Sequence, residues 1–192
     1  MAATARSNEL SARIAAIRED LTSLFLARGF VGLDLDAMAA HARCSKTTLY
    51  ELGDSKEQLV AHCVEHYFRS AAQRVEAAVA AQTDPAEKVR TYLSAVAGEL
   101  SRACEQFLAD VASRAVTRGS YERHTAIAAT RVRELIEASV RRPDAVRAQF
   151  LGEVAAATMD AIERGGMTER TGLSHAEAYA LLADVLASSA TP

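Results

Sequence analysis

Two short stretches of this 192-residue chain carry side chains that could do chemistry. Residues 62–66 read His-Cys-Val-Glu-His, which fits H-x-x-E-H. Two histidines four apart on a helix can bind zinc, and the glutamate between them can act as a base. No third ligand is evident, so the plainer reading is two ordinary histidines on one helix face. Residues 45–50 read Ser-Lys-Thr-Thr-Leu-Tyr and put four hydroxyls and a cation on one short helical turn. Such groups bond phosphates and base edges when a helix lies against a nucleic acid. The plainer reading there is a solvated helix face.

Composition narrows the choice. Apolar residues make up 49% of the chain and charged residues 24%, enough to bury a core in one large or two small domains. No run of 18 apolar residues occurs, so no membrane span is expected. The first twenty residues carry acids and no apolar stretch, which predicts no secretory signal. Cys44, Cys63 and Cys104 have no zinc-finger spacing and read as reduced thiols of a cytoplasmic protein. The net charge is −3. A nucleic-acid role must therefore rest on local arrangement: residues 41–50 hold His41, Arg43 and Lys46 and no acid.

The elements that would position these residues are all helical. Ala, Leu, Glu and Arg dominate, and strand-type alternation is absent. A first helix over about 7–28 carries Ile14, Ile17, Leu21, Leu24 and Phe25 in one stripe and ends at Gly29. Asp34 caps a short second helix, 35–41. Ser45 caps a third, to about 51, with Cys44, Leu49 and Leu52 inward and Lys46, Thr47, Thr48 and Tyr50 outward. Ser55 and Gln58 form a capping box for a long fourth helix to about 81. Thr83-Asp84-Pro85 restarts the chain, and further helices are expected at about 85–104, 105–116, 120–141, 144–164 and 174–188. Arg141-Arg142 suit a helix C-terminus, and Pro143-Asp144 begins the next helix. Tyr92, Phe107, Tyr121 and Phe150 read as core. The expected fold is all-α with about nine helices: a head over 1–54 and a body over 55–192.

Two short helices joined by a tight turn describe a helix-turn-helix, whose second helix enters the DNA major groove. Over about residues 10–60 the sequence resembles the TetR family of bacterial transcriptional regulators. Leu24-Phe25, Gly29-Phe30, Met38-Ala39, Ala42, Ser45, Thr48-Leu49-Tyr50, Ser55-Lys56-Glu57 and Leu59 carry the resemblance. It implies a three-helix DNA-binding domain, a helical body that holds a ligand and dimerises, and no enzymatic activity or cofactor. It assigns phosphate contacts to Thr48, Tyr50 and Lys56, base contacts to Lys46 and Thr47, and a backbone contact to Ser45. The implied partners are a near-palindromic double-stranded DNA operator, a small-molecule effector and a second copy of the chain, paired through 144–164 and 174–188. The implied pocket draws on His66, Cys104, Phe107 and His124. Repression is the usual outcome.

Two positions depart from the family pattern. Arg43 stands in the turn where glycine is usual; it either reshapes the turn or adopts a left-handed conformation at a cost and gains a DNA contact. Gly53 stands where an aromatic residue usually packs, leaving Leu52 to fill the space. Two other readings compete: a zinc-dependent hydrolase built on His62, Glu65 and His66, and a helical ligand-binding protein without DNA binding.

Overall fold

The computed structural model describes residues 2–139 and 145–190. These form ten helices and no strand: α1 Ala2–Arg28, α2 Leu35–His41, α3 Lys46–Tyr50, α4 Lys56–Ala80, α5 Pro85–Leu100, α6 Glu105–Ser113, α7 Ala115–Ser139, α8 Ala145–Glu163, α9 Gly166–Thr171 and α10 His175–Ala190. No described helix is long and apolar enough to cross a membrane.

Packing divides the chain into two units: residues up to Arg69 with Ala103–Tyr121, and Ser70–Arg102 with the residues from Glu122 on. The division expected from the sequence lies at residue 54. Packing instead takes in the first half of α4, all of α6 and the start of α7 with α1 to α3.

In the first unit, the expected apolar stripe of α1 is buried from Ile17 through Leu21, Leu24 and Phe25. Met38 of α2, Leu49 of α3, and Leu59, Val60, Cys63, Val64 and Tyr67 of α4 are buried in the same unit. A relay of aromatic rings crosses it. Phe25 touches Phe30 at 5.8 Å between centroids, and Phe30 meets Phe107 edge-on at 6.2 Å. Phe107 meets Tyr67 edge-on at 5.4 Å, Tyr67 lies 5.2 Å from Phe68, and Phe68 lies 5.9 Å from Tyr121. Edge-on rings add attraction beyond the area they bury. Burial also holds the Cys63 thiol neutral, its pKa pushed up to about 12.

One buried acid organises this unit. Asp110 of α6 is 4% exposed. Its Oδ2 accepts the backbone N–H groups of Phe30 at 2.7 Å and Val31 at 2.9 Å, and its Oδ1 accepts from Gln106 at 2.7 Å. Those two N–H groups lie just past the C-terminus of α1, where no helical carbonyl faces them. Gly29, left-handed at φ +73°, makes the approach possible: a Cβ there would lie 2.6 Å from Asp110 Oδ2. A second long-range bond, Cys104 N–H to the Leu26 carbonyl at 2.8 Å, fixes the entry to α6.

The second unit is built on α5, α8 and α10, with α10 lying chiefly along α5. Its core includes Val89, Tyr92 and Leu93 of α5, Val132, Leu135 and Ile136 of α7, Met159 and Ile162 of α8, and Tyr179, Leu182 and Leu186 of α10. Glu99 lies between Arg74 and Arg102. Its partial burial would raise its pKa, but the two guanidiniums outweigh that and lower it.

Helix ends mostly follow sequence chemistry. Asp34 accepts from Ala37 N–H at 2.8 Å, Asp84 accepts from Ala86 and Glu87, and Ser174 exchanges bonds with Glu177. Four expectations need correction. α5 stops at Leu100 rather than near 104, and Cys104 turns its N–H to α1. α7 starts at Ala115, not 120, and Gly119 lies inside it. There the chain turns without glycine because side chains satisfy the carbonyls at the end of α6. Thr117 Oγ1 donates to Val111 O at 2.9 Å, and Arg118 donates to Ala112 O and Ser113 O. The six-residue α9, between left-handed Gly165 and Gly172, was not expected and makes the count ten among the described residues. Phe150, expected in the core, is 66% exposed. Arg141-Arg142 and Pro143-Asp144 lie outside the described residues.

Replacing Asp110 with Ala would leave the buried Phe30 N–H without an acceptor and remove three charge-assisted bonds in all. The variant should lose about 3 kcal/mol in chemical denaturation. Asp110→Asn, which keeps one acceptor oxygen in place, should recover much of this. Equal losses in the two would mean that packing around residue 110, rather than its acceptor, carries the stability.

Candidate nucleic-acid interface

The turn between α2 and α3 ends α2 with paired backbone bonds. Arg43 N–H reaches the Ala40 carbonyl at 3.3 Å and Cys44 N–H reaches the Ala39 carbonyl at 3.0 Å. This 6→1 and 5→2 pairing is a Schellman motif, which needs a left-handed residue at its C′ position. Arg43 is that residue, with φ +50°, and no other non-glycine residue among those described has a positive φ. The geometry usual for glycine is thus kept by an arginine, at a cost of about 1–2 kcal/mol for an L side chain. Its side chain is left exposed.

α3 follows at once. Ser45 Oγ accepts the Thr48 N–H at 3.1 Å and lies 2.8 Å from Thr48 Oγ1, so one hydroxyl caps the helix and steadies the other. Leu49 is fully buried and Leu52 is 6% exposed, which anchors α3 by one face. Ser45, Lys46, Thr47 and Tyr50 are exposed and Thr48 is half-buried. The inward and outward faces are those expected, with Cys44 half-buried between them. Desolvation raises the Cys44 thiol pKa against a smaller lowering by Arg13, so the neutral thiol is favoured.

Lys46 Nζ sits 2.7 Å from Asp36 Oδ1 of α2. That hydrogen bond is the main reason its pKa is raised. The central cation of the polar row is therefore shared with an acid from the preceding helix, which its own segment did not reveal.

α3 is joined to α4 by a turn with no room for a side chain at residue 53. A Cβ on Gly53 would lie 2.7 Å from Leu59 N and 2.9 Å from Gln58 C. Glycine here reflects close backbone approach, and buried Leu52 supplies the apolar contact. Ser55 caps α4 by accepting from Gln58 N–H at 3.2 Å, and Gln58 Oε1 accepts from Asp54 N–H at 2.9 Å. The result puts Lys56, half-buried, at the first position of α4. Ser45, Lys46, Thr47, Thr48 and Tyr50 thus lie on α3 or at its cap, Arg43 lies in the turn before it, and Lys56 opens the next helix, α4.

The H-x-x-E-H residues do not converge. His62 Nδ1 bonds the Leu52 carbonyl, while His66 Nε2 meets Glu19 Oε1 of α1 at 2.5 Å. Glu65 receives the Ser120 hydroxyl and faces Arg69. Among the described residues no three His, Cys, Asp or Glu side chains are grouped to hold a metal. The residues present do not fit a zinc centre.

Of the four residues expected around a ligand, His66, Cys104 and Phe107 lie in the first unit and His124 in the second. Cys104 caps α6, its Sγ accepting from Phe107 N–H at 3.4 Å. Phe107 is 1% exposed, inside the aromatic relay. His66 faces Glu19, and His124 belongs to the second unit. None of them lines the two described clefts.

No family profile and no curated protein matches the chain. Solved structures do match. A transcriptional regulator from Aquifex aeolicus VF5 aligns at TM-score 0.60 and 20% identity, over 92% of this chain and 96% of its own. A TetR-like transcriptional regulator from Rhodococcus sp. RHA1 aligns at 0.58 and 23%, over 91% and 93%. AibR, solved in complex with isovaleryl coenzyme A and operator DNA, aligns at 0.58 and 18%, over 92% and 97%. The chain has the fold of TetR-like regulators, along nearly its whole length.

Two substitutions test this geometry. Arg43→Gly should raise stability by about 0.5–1 kcal/mol, the relief of left-handed strain outweighing the added freedom of the unfolded chain. A loss instead would reveal a compensating contact of the arginine. Gly53→Ala forces backbone apart and should cost about 1–3 kcal/mol in denaturant unfolding. A neutral result would mean that the turn relaxes freely.

Proposed function

We propose that this chain is a ligand-responsive, DNA-binding transcriptional regulator that acts as a homodimer on a near-palindromic operator, most simply as a repressor. One observation carries the reading. α3 is capped by Ser45, anchored by Leu49, and preceded by a Schellman turn, and it presents Lys46, Thr47 and Tyr50 outward. A helix held this way and exposed this way is built to lie in a major groove. In this reading Tyr50, Thr48 and Lys56 contact phosphates, Lys46 and Thr47 reach base edges, and Ser45 and Arg43 contact the adjoining backbone. No catalytic residue and no cofactor is required.

A dimer is supported by exposed apolar side chains on α8 and α10. Val146, Phe150 and Val154 recur every four residues on α8, and Leu181 and Val185 do so on α10. Phe150 is 66% and Val146 82% exposed, a large apolar stripe to leave in water. Two copies joined by these helices would set their recognition helices about 34–36 Å apart, one turn of duplex. An effector then acts by favouring a dimer whose heads are wrongly spaced for the operator. The AibR complex, with an acyl-coenzyme A and operator DNA, supports an effector of this general kind.

Selection from random duplex DNA at low salt should recover an inverted repeat with half-sites about one helical turn apart. Recovery of nothing above background from a folded protein would overturn the DNA-binding reading. With an operator in hand, Lys46→Ala should relax preference at particular base pairs by about 1–3 kcal/mol, while Tyr50→Phe and Lys56→Ala weaken all sequences alike. Leu181→Arg should yield a monomer in sedimentation. A dimer that survives it would place the interface elsewhere.

A further inference from the structure

A cleft of about 260 Å3 opens within the first unit, walled by Phe30 and Val31 after α1, Lys56, Glu57 and Val60 of α4, and Arg114, Ala115 and Val116 at the start of α7. Three features mark it off from an accidental crevice. Its rim is apolar where water would favour polar groups: Val31 is 37% and Val116 46% exposed, above a floor of buried Phe30 and Val60. Its two cations, Lys56 and Arg114, meet at one cleft with no ion-pair partner among the described residues, so both charges are available to an anion. And the first-turn amides of α4 and α7, which have no intrahelical acceptor, belong to residues that border it.

The chemistry of the occupant follows. Two cations against the single carboxylate of Glu57 leave one net positive charge, which suits a monoanion and disfavours a di- or polyphosphate. The apolar walls need an apolar tail to cover them. The volume lies just under the roughly 300–1,000 Å3 of drug-sized pockets, so the tail is short. We propose that this cleft binds a small amphipathic monocarboxylate, its carboxylate held between Lys56 and Arg114 and its tail against Val31, Val60 and Val116. The cleft contains none of the four residues expected around a ligand. It also shares Lys56 with the proposed phosphate contacts, so a bound carboxylate competes with DNA for that ammonium. This last consequence, but not the binding itself, rests on the DNA-binding reading.

Calorimetric titration of the full chain with hexanoate, without DNA, tests the site. Hexanoate should bind, while 1-hexanol and inorganic phosphate, lacking the charge and the tail respectively, should bind at least about tenfold more weakly. Lys56→Met and Arg114→Met, checked for folding by circular dichroism, should each weaken hexanoate about tenfold. Methyl resonances of Val31, Val60 and Val116 should shift on titration. No heat and no shift, equal binding of hexanol or phosphate, or full affinity in both folded variants would each overturn the site. In a DNA-binding assay, hexanoate should lower the affinity of the native protein and leave that of Arg114→Met unchanged. Hexanoate bound in the cleft with DNA affinity unaltered would overturn the competition at Lys56. Absence of DNA binding altogether would sink the regulatory reading, and the calorimetry would still decide the cleft.

Discussion

The carboxylate of Asp110 is the point on which the first unit depends. α1 must end, and the chain must turn sharply toward α2 while Phe30 goes into the core. That leaves two N–H groups pointing inward past the helix end, and an unsatisfied buried amide costs on the order of 1–3 kcal/mol. Asp110 accepts both from α6, some 80 residues further on. The acid is in turn held by Gln106, and it reaches the backbone only because Gly29 has no Cβ. With the exit of α1 fixed, Phe30 seats between Phe25 and Phe107, and the path into α2 is set. The α2–α3 segment is therefore positioned by a distant helix as well as by its own three-helix neighbourhood.

Charge sets a different limit. A DNA-binding surface draws much of its affinity from phosphate neutralisation. Residues 1–60 of this chain are nearly neutral, and the central cation of the interface proposed for it is already in contact with Asp36. That pair is exposed on both sides, so it is weak and easily exchanged in water. Affinity in such an interface must rest more on hydroxyls, backbone amides and shape, and its dependence on salt is correspondingly governed by few cations.

Much of this was legible in sequence because it is local chemistry. Asp34, Ser45, Ser55 and Asp84 announced helix starts, since a cap is decided by a side chain and the amides two or three residues on. The inward and outward division of α3 was legible for the same reason, whereas at Arg43 the sequence left both a left-handed turn and a reshaped one open, and the structure decided for the first. What escaped was long-range. α5 ends at Leu100 because Cys104 bonds Leu26, and α7 starts at Ala115 because Thr117 and Arg118 reach back to α6. Phe150 looked like core because it is large and apolar, yet whether a helix face is covered depends on what packs there.

The sequence alone determined that the chain is helical, where most helices begin, and that one short helix carries a row of exposed hydrogen-bonding groups after a tight turn. Periodicity, capping and backbone propensity act over one or two helical turns, so the order of residues is enough to specify them. Only the tertiary structure decided which side chains meet. It tied Asp110 to the end of α1, set Lys46 against Asp36, gave His62 and His66 separate partners, and enclosed an apolar cleft beside Lys56 and Arg114. Those contacts join residues far apart in the chain, and their energies depend on burial and distance that no local pattern encodes.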